Sequence, residues 1–227
     1  MTPARKLHVV GDTSDARPRR VTRFARHEVR LRDEQRLPIA DKPLHTRTEV
    51  ADDPATWSPA VWLVAAHGGA GTTTLSHMLA PFGDAGRRWP AADDNPWCVV
   101  VARENYSGLE AAQQVLLQAA TGQAGECSAL GVVTVADGPG KRPKKLASNL
   151  RVIEEISPVW RVGWIPDLKV TNPADIASWR PGQATPAKRK RRRRVPIDQD
   201  IPDAVKTTAF DILQLAADNH AAQNEKE

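Results

Sequence analysis

The chain has 227 residues, 32 Lys and Arg against 27 Asp and Glu, a formal charge of +5 and a sequence pI near 9.5. Two cysteines in separate segments, Cys98 and Cys127, argue against a disulfide framework or a metal-ligand set and suit a reducing cytoplasm. The start, Met1–Leu7, has no apolar leader, and no apolar run approaches the ~20 residues that cross a bilayer, so the expectation is a cytoplasmic protein without membrane insertion.

Residues 1–56 are arginine-rich and punctuated by Pro18, Pro38, Pro43 and Pro54. Such a segment buries too little apolar surface to offset its ordering entropy, which predicts a mostly disordered basic extension. Within it, Arg17 to Arg36 is a candidate basic helix for a partner.

From Trp57 the pattern changes, and residues 57–170 read as one α/β domain. Val61–Ala66 is an apolar run, the mark of a strand covered on both faces. It leads into His67-Gly-Gly-Ala-Gly-Thr-Thr-Thr74, after which Thr73–Leu79 predicts a short helix ended by Pro81 and Gly83. A strand, a glycine-rich turn and a helix are the parts of a phosphate cradle, because glycines let several N–H groups point into one concavity. The candidate phosphate-binding residues are therefore Gly68, Gly69, Ala70, Gly71, Thr72, Thr73 and Thr74. The usual loop reads G-x-x-x-x-G-K-[ST]. Here Thr72 stands at the lysine and Thr73 at the hydroxyl that meets magnesium. His67 either donates to a phosphate or caps the turn. The competing explanation is that the glycines only let the strand turn tightly into its helix.

Asp84–Pro96 reads as a loop, so Asp93 and Asp94 do not end a strand. Trp97–Ala102 is a second strand. Ser107-Gly-Leu-Glu110 fits a capping box, followed by Leu109, Ala112, Leu116 and Ala119 at helical spacing. Leu130–Ala136 is a third strand, and Asp137–Lys145 a loop. Leu146, Leu150 and Ile153 mark a further helix, and Val159–Pro166 a fourth strand. Strands alternating with helices predict a small, mostly parallel sheet of about four strands with right-handed crossovers. Trp62, Trp97, Trp160 and Trp164 fall in or beside strands as core residues, whereas Trp57, Trp89 and Trp179 are candidate interface anchors.

Residues 171–202 form a Pro-rich polybasic linker containing Lys188, Arg189, Lys190, Arg191, Arg192, Arg193 and Arg194. Seven consecutive bases exceed what solubility needs and make a candidate contact for the phosphate backbone of DNA. The competing explanation is a solvated tether for a last helix at 203–219, where Val205, Ala209, Ile212 and Ala216 share a face. Residues 220–227 read as a frayed tail.

The stretch from His67 to Thr74 resembles the deviant Walker A motif, K-G-G-x-G-K-T-T, of the ParA/MinD family of P-loop ATPases. Val99–Leu109 looks like that family's strand and helix start after Walker B. Gly131–Val135 and Val162-Gly-Trp-Ile-Pro-Asp167 look like its last two core strands. The chain also resembles short P-loop-like proteins of actinobacteria associated with plasmids and integrative elements. The resemblance covers residues 58–170 and implies a P-loop NTPase-like fold that binds ATP with magnesium. It also implies a nucleotide-sandwich homodimer, and it sets Pro166 and Asp167 beside the base. His67 replaces the lysine that acts across that dimer, Thr72 replaces the phosphate-binding lysine, and the stretch that carries the Walker B aspartate is missing. The resulting expectation is a non-hydrolysing scaffold or weak nucleotide binder in the maintenance or transfer of a mobile DNA element, working through DNA or an unknown protein partner. The alternatives are an ATPase completed by dimerisation or a partner, and a nucleic-acid-binding adaptor with a purely structural core.

Overall fold

A computed structural model describes residues 36–38, 58–91, 94–183 and 195–225. The candidate helix at Arg17–Arg36, Asp93, Trp57 and the DNA-contact candidates Lys188–Arg194 thus lie outside the described residues, Arg36 alone excepted. In chain order the elements are β1 (Val61–Ala65), α1 (Thr72–Met78), β2 (Phe82–Gly86), β3 (Trp97–Arg103), α2 (Tyr106–Ala120), β4 (Ser128–Val135), α3 (Lys144–Ile156) and β5 (Val159–Val162). Two 3-10 turns at Pro166–Lys169 and Pro173–Asp175 then precede α4 (Asp203–Asn224).

The sheet is α/β in type and wholly parallel, with five strands in the order β2-β1-β3-β4-β5. Alternate residues of each central strand feed two separate cores. Val61, Leu63, Ala65, Val99 and Val101 face the side covered by α1, α4 and the segment around Ile176, Ile197 and Ile201. Trp62, Val64, Cys98, Val100 and Ala102 face the side of Leu109, Ala112, Leu116, Leu150 and Ile153 on α2 and α3. Burial on both faces explains why β1 and β3 read as unbroken apolar runs.

The fifth strand corrects the expected loop at Asp84–Pro96. Phe82-Gly-Asp-Ala-Gly86 pairs with β1 in parallel, Leu63 opposite Asp84. Its two glycines give it little intrinsic strand preference. Gly83 is nonetheless required, because a Cβ there would sit 2.6 Å from the Trp62 ring. Burial of that ring on the neighbouring strand, rather than local propensity, makes the segment a strand.

The capping box is also corrected. Helix α2 starts at Tyr106, and its cap is Asn105, whose Oδ1 accepts from the Gly108 amide at 2.8 Å. Ser107 lies inside the first turn and donates to the same Oδ1 at 3.2 Å. Trp89 is fully buried rather than an interface anchor. Trp179 packs against the α1 side of the core, its backbone bridged to Leu79. The two cysteines, distant in sequence, are neighbours in space as free thiols, and Cys127 Sγ donates to the Pro90 carbonyl at 3.5 Å. Among the described residues no helix is long and apolar enough to cross a membrane.

Candidate phosphate-binding site

The chain leaves β1 for β2 on one side and later places β3 on the other. The carboxyl ends of β1 and β3 are therefore the switch point at which ligands of open α/β sheets bind. The glycine turn lies there. Gly69 and Gly71 have φ of 77° and 105°, a left-handed backbone that disfavours any side chain with a Cβ. Gly71 then caps α1, whose first amides have no acceptor within the helix.

His67 caps the turn. Its Nδ1 donates to the Gly68 carbonyl at 2.9 Å, and its Nε2 accepts the Arg103 amide at 3.1 Å. A carbonyl can only accept and an amide N–H can only donate, so one neutral tautomer satisfies both bonds. Neither ring nitrogen is left for a phosphate. The imidazole fits only because residue 108 is glycine, since a Cβ there would lie 3.0 Å from Nε2 and 2.4 Å from the Arg103 carbonyl oxygen.

The turn opens onto a hollow of about 380 Å³. His67, Gly68, Gly69, Ala70, Gly71, Thr72, Thr73 and Thr74 line it from the loop, so the structure brings all seven candidate phosphate-binding residues together. Three charged residues from other elements join them: Asp84, Arg87 and Arg103. Thr73 Oγ1 donates to Asp84 Oδ2 at 2.6 Å, while Asp84 Oδ1 accepts the Gly86 amide at 2.8 Å. A carboxylate on the adjacent strand is thus held against the hydroxyl of the loop. Arg103 is braced from two sides, its Nε donating to the Gly69 carbonyl at 3.1 Å and its Nη1 to the Ala136 carbonyl at 3.2 Å. A guanidinium has five donors, so the rest of the fork is available to an anion.

Behind Arg103 lies Glu104, 6% exposed. Its Oε1 accepts from Arg142 Nε at 3.1 Å, from Arg142 Nη2, and from Thr134 Oγ1 at 3.1 Å. Arg161 Nε reaches both carboxylate oxygens, at 2.8 and 3.0 Å. Burial by itself would raise the Glu104 pKa. Hydrogen bonds from Arg161 and Arg142, with their charges, outweigh burial and hold the carboxyl below its ordinary value. This network ties the end of β3 to β4, β5 and the β4–α3 loop, and so fixes the strand end that carries Arg103.

Pro166 and Asp167, the candidate base-side residues, begin a 3-10 turn after the edge strand β5. At the usual strand spacing that is about 14 Å across the sheet from β1. Neither lines the glycine-loop hollow. Asp167 instead lines a second hollow of about 160 Å³ with Ile197, Asp200 and Asp203. Among the described residues no cluster of three or more His, Cys, Asp or Glu side chains could hold a metal ion.

A model for a family of unknown function, DUF6668, matches residues 59–197. The chain belongs to that family. No curated protein and no solved structure matches it. The matched span reaches from the strand that precedes the glycine turn to Ile197 in the core on the α1 side, so it contains every residue that lines the hollow.

Proposed function

We propose that this protein binds a nucleoside polyphosphate with magnesium in the glycine-loop hollow, in the manner of a P-loop protein whose phosphate-facing cations come from neighbouring strands. The single observation that carries this reading is the Thr73 hydroxyl bonded to the Asp84 carboxylate at the rim of a hollow that Arg87 and Arg103 also line. In P-loop NTPases a loop Ser or Thr and a strand-borne Asp hold the magnesium ion. Magnesium takes hard oxygen ligands, needs only one or two from protein, and fills the remainder with water and phosphate oxygens. Thr73 and Asp84 fit that demand, and the ion would neutralise charge on the phosphates beside them.

The chain's own residues divide the remaining work. The turn supplies amides at Gly68, Gly69 and Gly71. Arg103 offers a planar fork suited to phosphate oxygens, which substitutes for the lysine absent at Thr72. His67 and Gly108 hold the turn against β3. Turnover is expected to be slow, because the braced Arg103 cannot follow charge onto a leaving group as a flexible lysine does. The mobile-element role remains a proposal that rests on sequence, with Lys188–Arg194 as the DNA contact.

Calorimetric titration of ATP and GTP with magnesium tests the site. Saturable heat with an upward thermal shift is expected. No heat and no shift at millimolar nucleotide would end this proposal. A steady release of phosphate that Thr73→Ala abolishes would favour the hydrolysing alternative instead.

A further inference from the structure

The described part of the N-terminal extension, Arg36–Pro38, docks on the domain. Leu37 is 4% exposed and joins the core beside Trp62 and Trp89. Gln118 of α2, itself 2% exposed, holds the Leu37 backbone at two points. The Leu37 amide donates to Gln118 Oε1 at 2.9 Å, and Gln118 Nε2 donates to the Leu37 carbonyl at 2.8 Å, across a sequence separation of 81. The Pro38 carbonyl accepts the Trp89 amide at 2.9 Å. A buried side-chain amide destabilises a helix unless both its ends are matched: Gln118 Nε2 also donates to the Gln123 carbonyl at 3.1 Å, but among the described residues its Oε1 is matched by the Leu37 amide.

The contact has a direct line to the hollow. Trp89 lies two residues beyond Arg87 on the connection from β2 to β3, and Arg87, Gly86 and Asp84 all line the glycine-loop hollow. Gly86 has a φ of 56°, a glycine joint between the strand that bears Asp84 and the connection that bears Arg87. The fully buried Trp89 ring and the Pro38 carbonyl fix that connection three residues beyond Gly86. What holds Trp89 therefore restricts where Arg87 sits.

We propose that Arg36–Pro38 is a clasp that sets the phosphate affinity of the hollow by holding the connection that carries Arg87, with Leu37 and Gln118 as positioning residues. The clasp rests on the reading of the hollow as a nucleotide site. Coupling between two sites is reciprocal, so nucleotide must tighten the clasp by the factor by which the clasp tightens nucleotide.

The experiment uses the full chain and a fluorescent ATP with magnesium, comparing wild type with Leu37→Asp and Gln118→Leu. Both variants are expected to bind at least fivefold more weakly, with circular dichroism unchanged. A synthetic peptide of residues 33–41 at millimolar concentration should restore the affinity of Leu37→Asp but not that of Gln118→Leu. A purely structural role for Leu37 would lower the melting temperature without that rescue. Hydrogen exchange on wild type reads the reverse direction and serves if a variant does not fold: saturating nucleotide should slow the Leu37 and Trp89 amides at least fivefold. Wild type that binds no nucleotide sinks the site and the clasp together. Wild type that binds, with variants equal to it or with exchange at Trp89 unmoved, overturns the clasp alone.

Discussion

Replacing Asp84 by asparagine separates a magnesium-nucleotide site from a merely tight turn, because the site demands effects of opposite sign under two conditions. Asp84 Oδ2 is 2.6 Å from Thr73 Oγ1, so any phosphate that meets the loop hydroxyl lies within roughly 5 Å of this carboxylate. At that range like charges repel by about 1 kcal/mol in bulk water and by several where a protein surface lowers the effective dielectric constant. For the half-buried Asp84 a value near 1.5 kcal/mol is reasonable, about a tenfold change in affinity. Without divalent cation, Asp84→Asn should therefore bind ATP or pyrophosphate roughly tenfold more tightly than wild type. With magnesium the sign reverses. The neutral amide is a poorer ligand for a hard cation, and the loss should be no smaller than the roughly 10- to 100-fold typical of disturbing a metal's outer shell. The assay is calorimetry of both proteins in EDTA and in millimolar magnesium, with a thermal melt to verify folding. Equal affinities under both conditions, or a change of one sign throughout, would refute the assignment of Asp84 as a cation ligand.

Glu104→Gln should lower stability by about 2 kcal/mol, less than the ~3–5 for breaking a fully buried pair because Arg142 and Arg161 can turn to solvent. For a chain of this size that is roughly 4–8 °C in Tm by calorimetry. The folded Glu104 pKa is lowered, so its contribution is complete above the unfolded value of roughly 4.3 and is lost as pH falls through the folded one. Wild type should accordingly lose stability below that pH more steeply than Glu104→Gln, and parallel curves would contradict the network. Cys127 should react with iodoacetamide before Cys98. A hydrogen bond from Cys98 lowers the Cys127 pKa, whereas burial raises that of Cys98, and mass spectrometry of the alkylated peptides reads the order. If about five of the bases in Lys188–Arg194 meet DNA phosphates, log affinity should fall against log salt with a slope near −4.5. Deleting 188–194 should remove that slope, and unchanged retention on duplex DNA would reject the contact.

The parts of the fold that could be read in the sequence are those where local pattern and burial agree. β1, β3 and β4 are apolar runs bounded by turn residues, and the glycine turn with α1 follows directly from His67–Thr74. β2 could not be read, since Phe82-Gly-Asp-Ala-Gly86 owes its conformation to the Trp62 ring above Gly83. Missing that strand also hid Asp84, the acidic side chain that meets the loop hydroxyl. Arg103 was not recognised as a residue of the hollow. One sign was present: a cation ending an apolar strand, at the sheet edge where α/β proteins bind ligands. The cap of α2 was misplaced by two residues because Asn105 and Ser107 both suit the role, and only geometry chooses between them. Leu37 was hidden in a polar, proline-rich stretch whose composition argues for disorder; its partner, Gln118, looks in sequence like an ordinary surface residue of α2.

The arginine that charges the hollow also shapes it. Arg103 holds the Gly69 carbonyl through its side chain and His67 through its backbone, while Glu104 beside it is locked by two further arginines. A Walker lysine sits on the loop it serves and can be lost without disturbing strand order. Here the cation belongs to β3, so the conformation of the turn and the charge facing it are fixed by one residue at one strand end. Such a hollow has little freedom to remodel as charge moves along a phosphate chain, yet it needs no ligand to preorganise it, and preorganised donors favour binding by avoiding the entropy of ordering them. On the proposed reading of the hollow as a nucleotide site, a braced strand arginine in place of a loop lysine favours retention of the anion over turnover, so binding rather than hydrolysis is the activity expected.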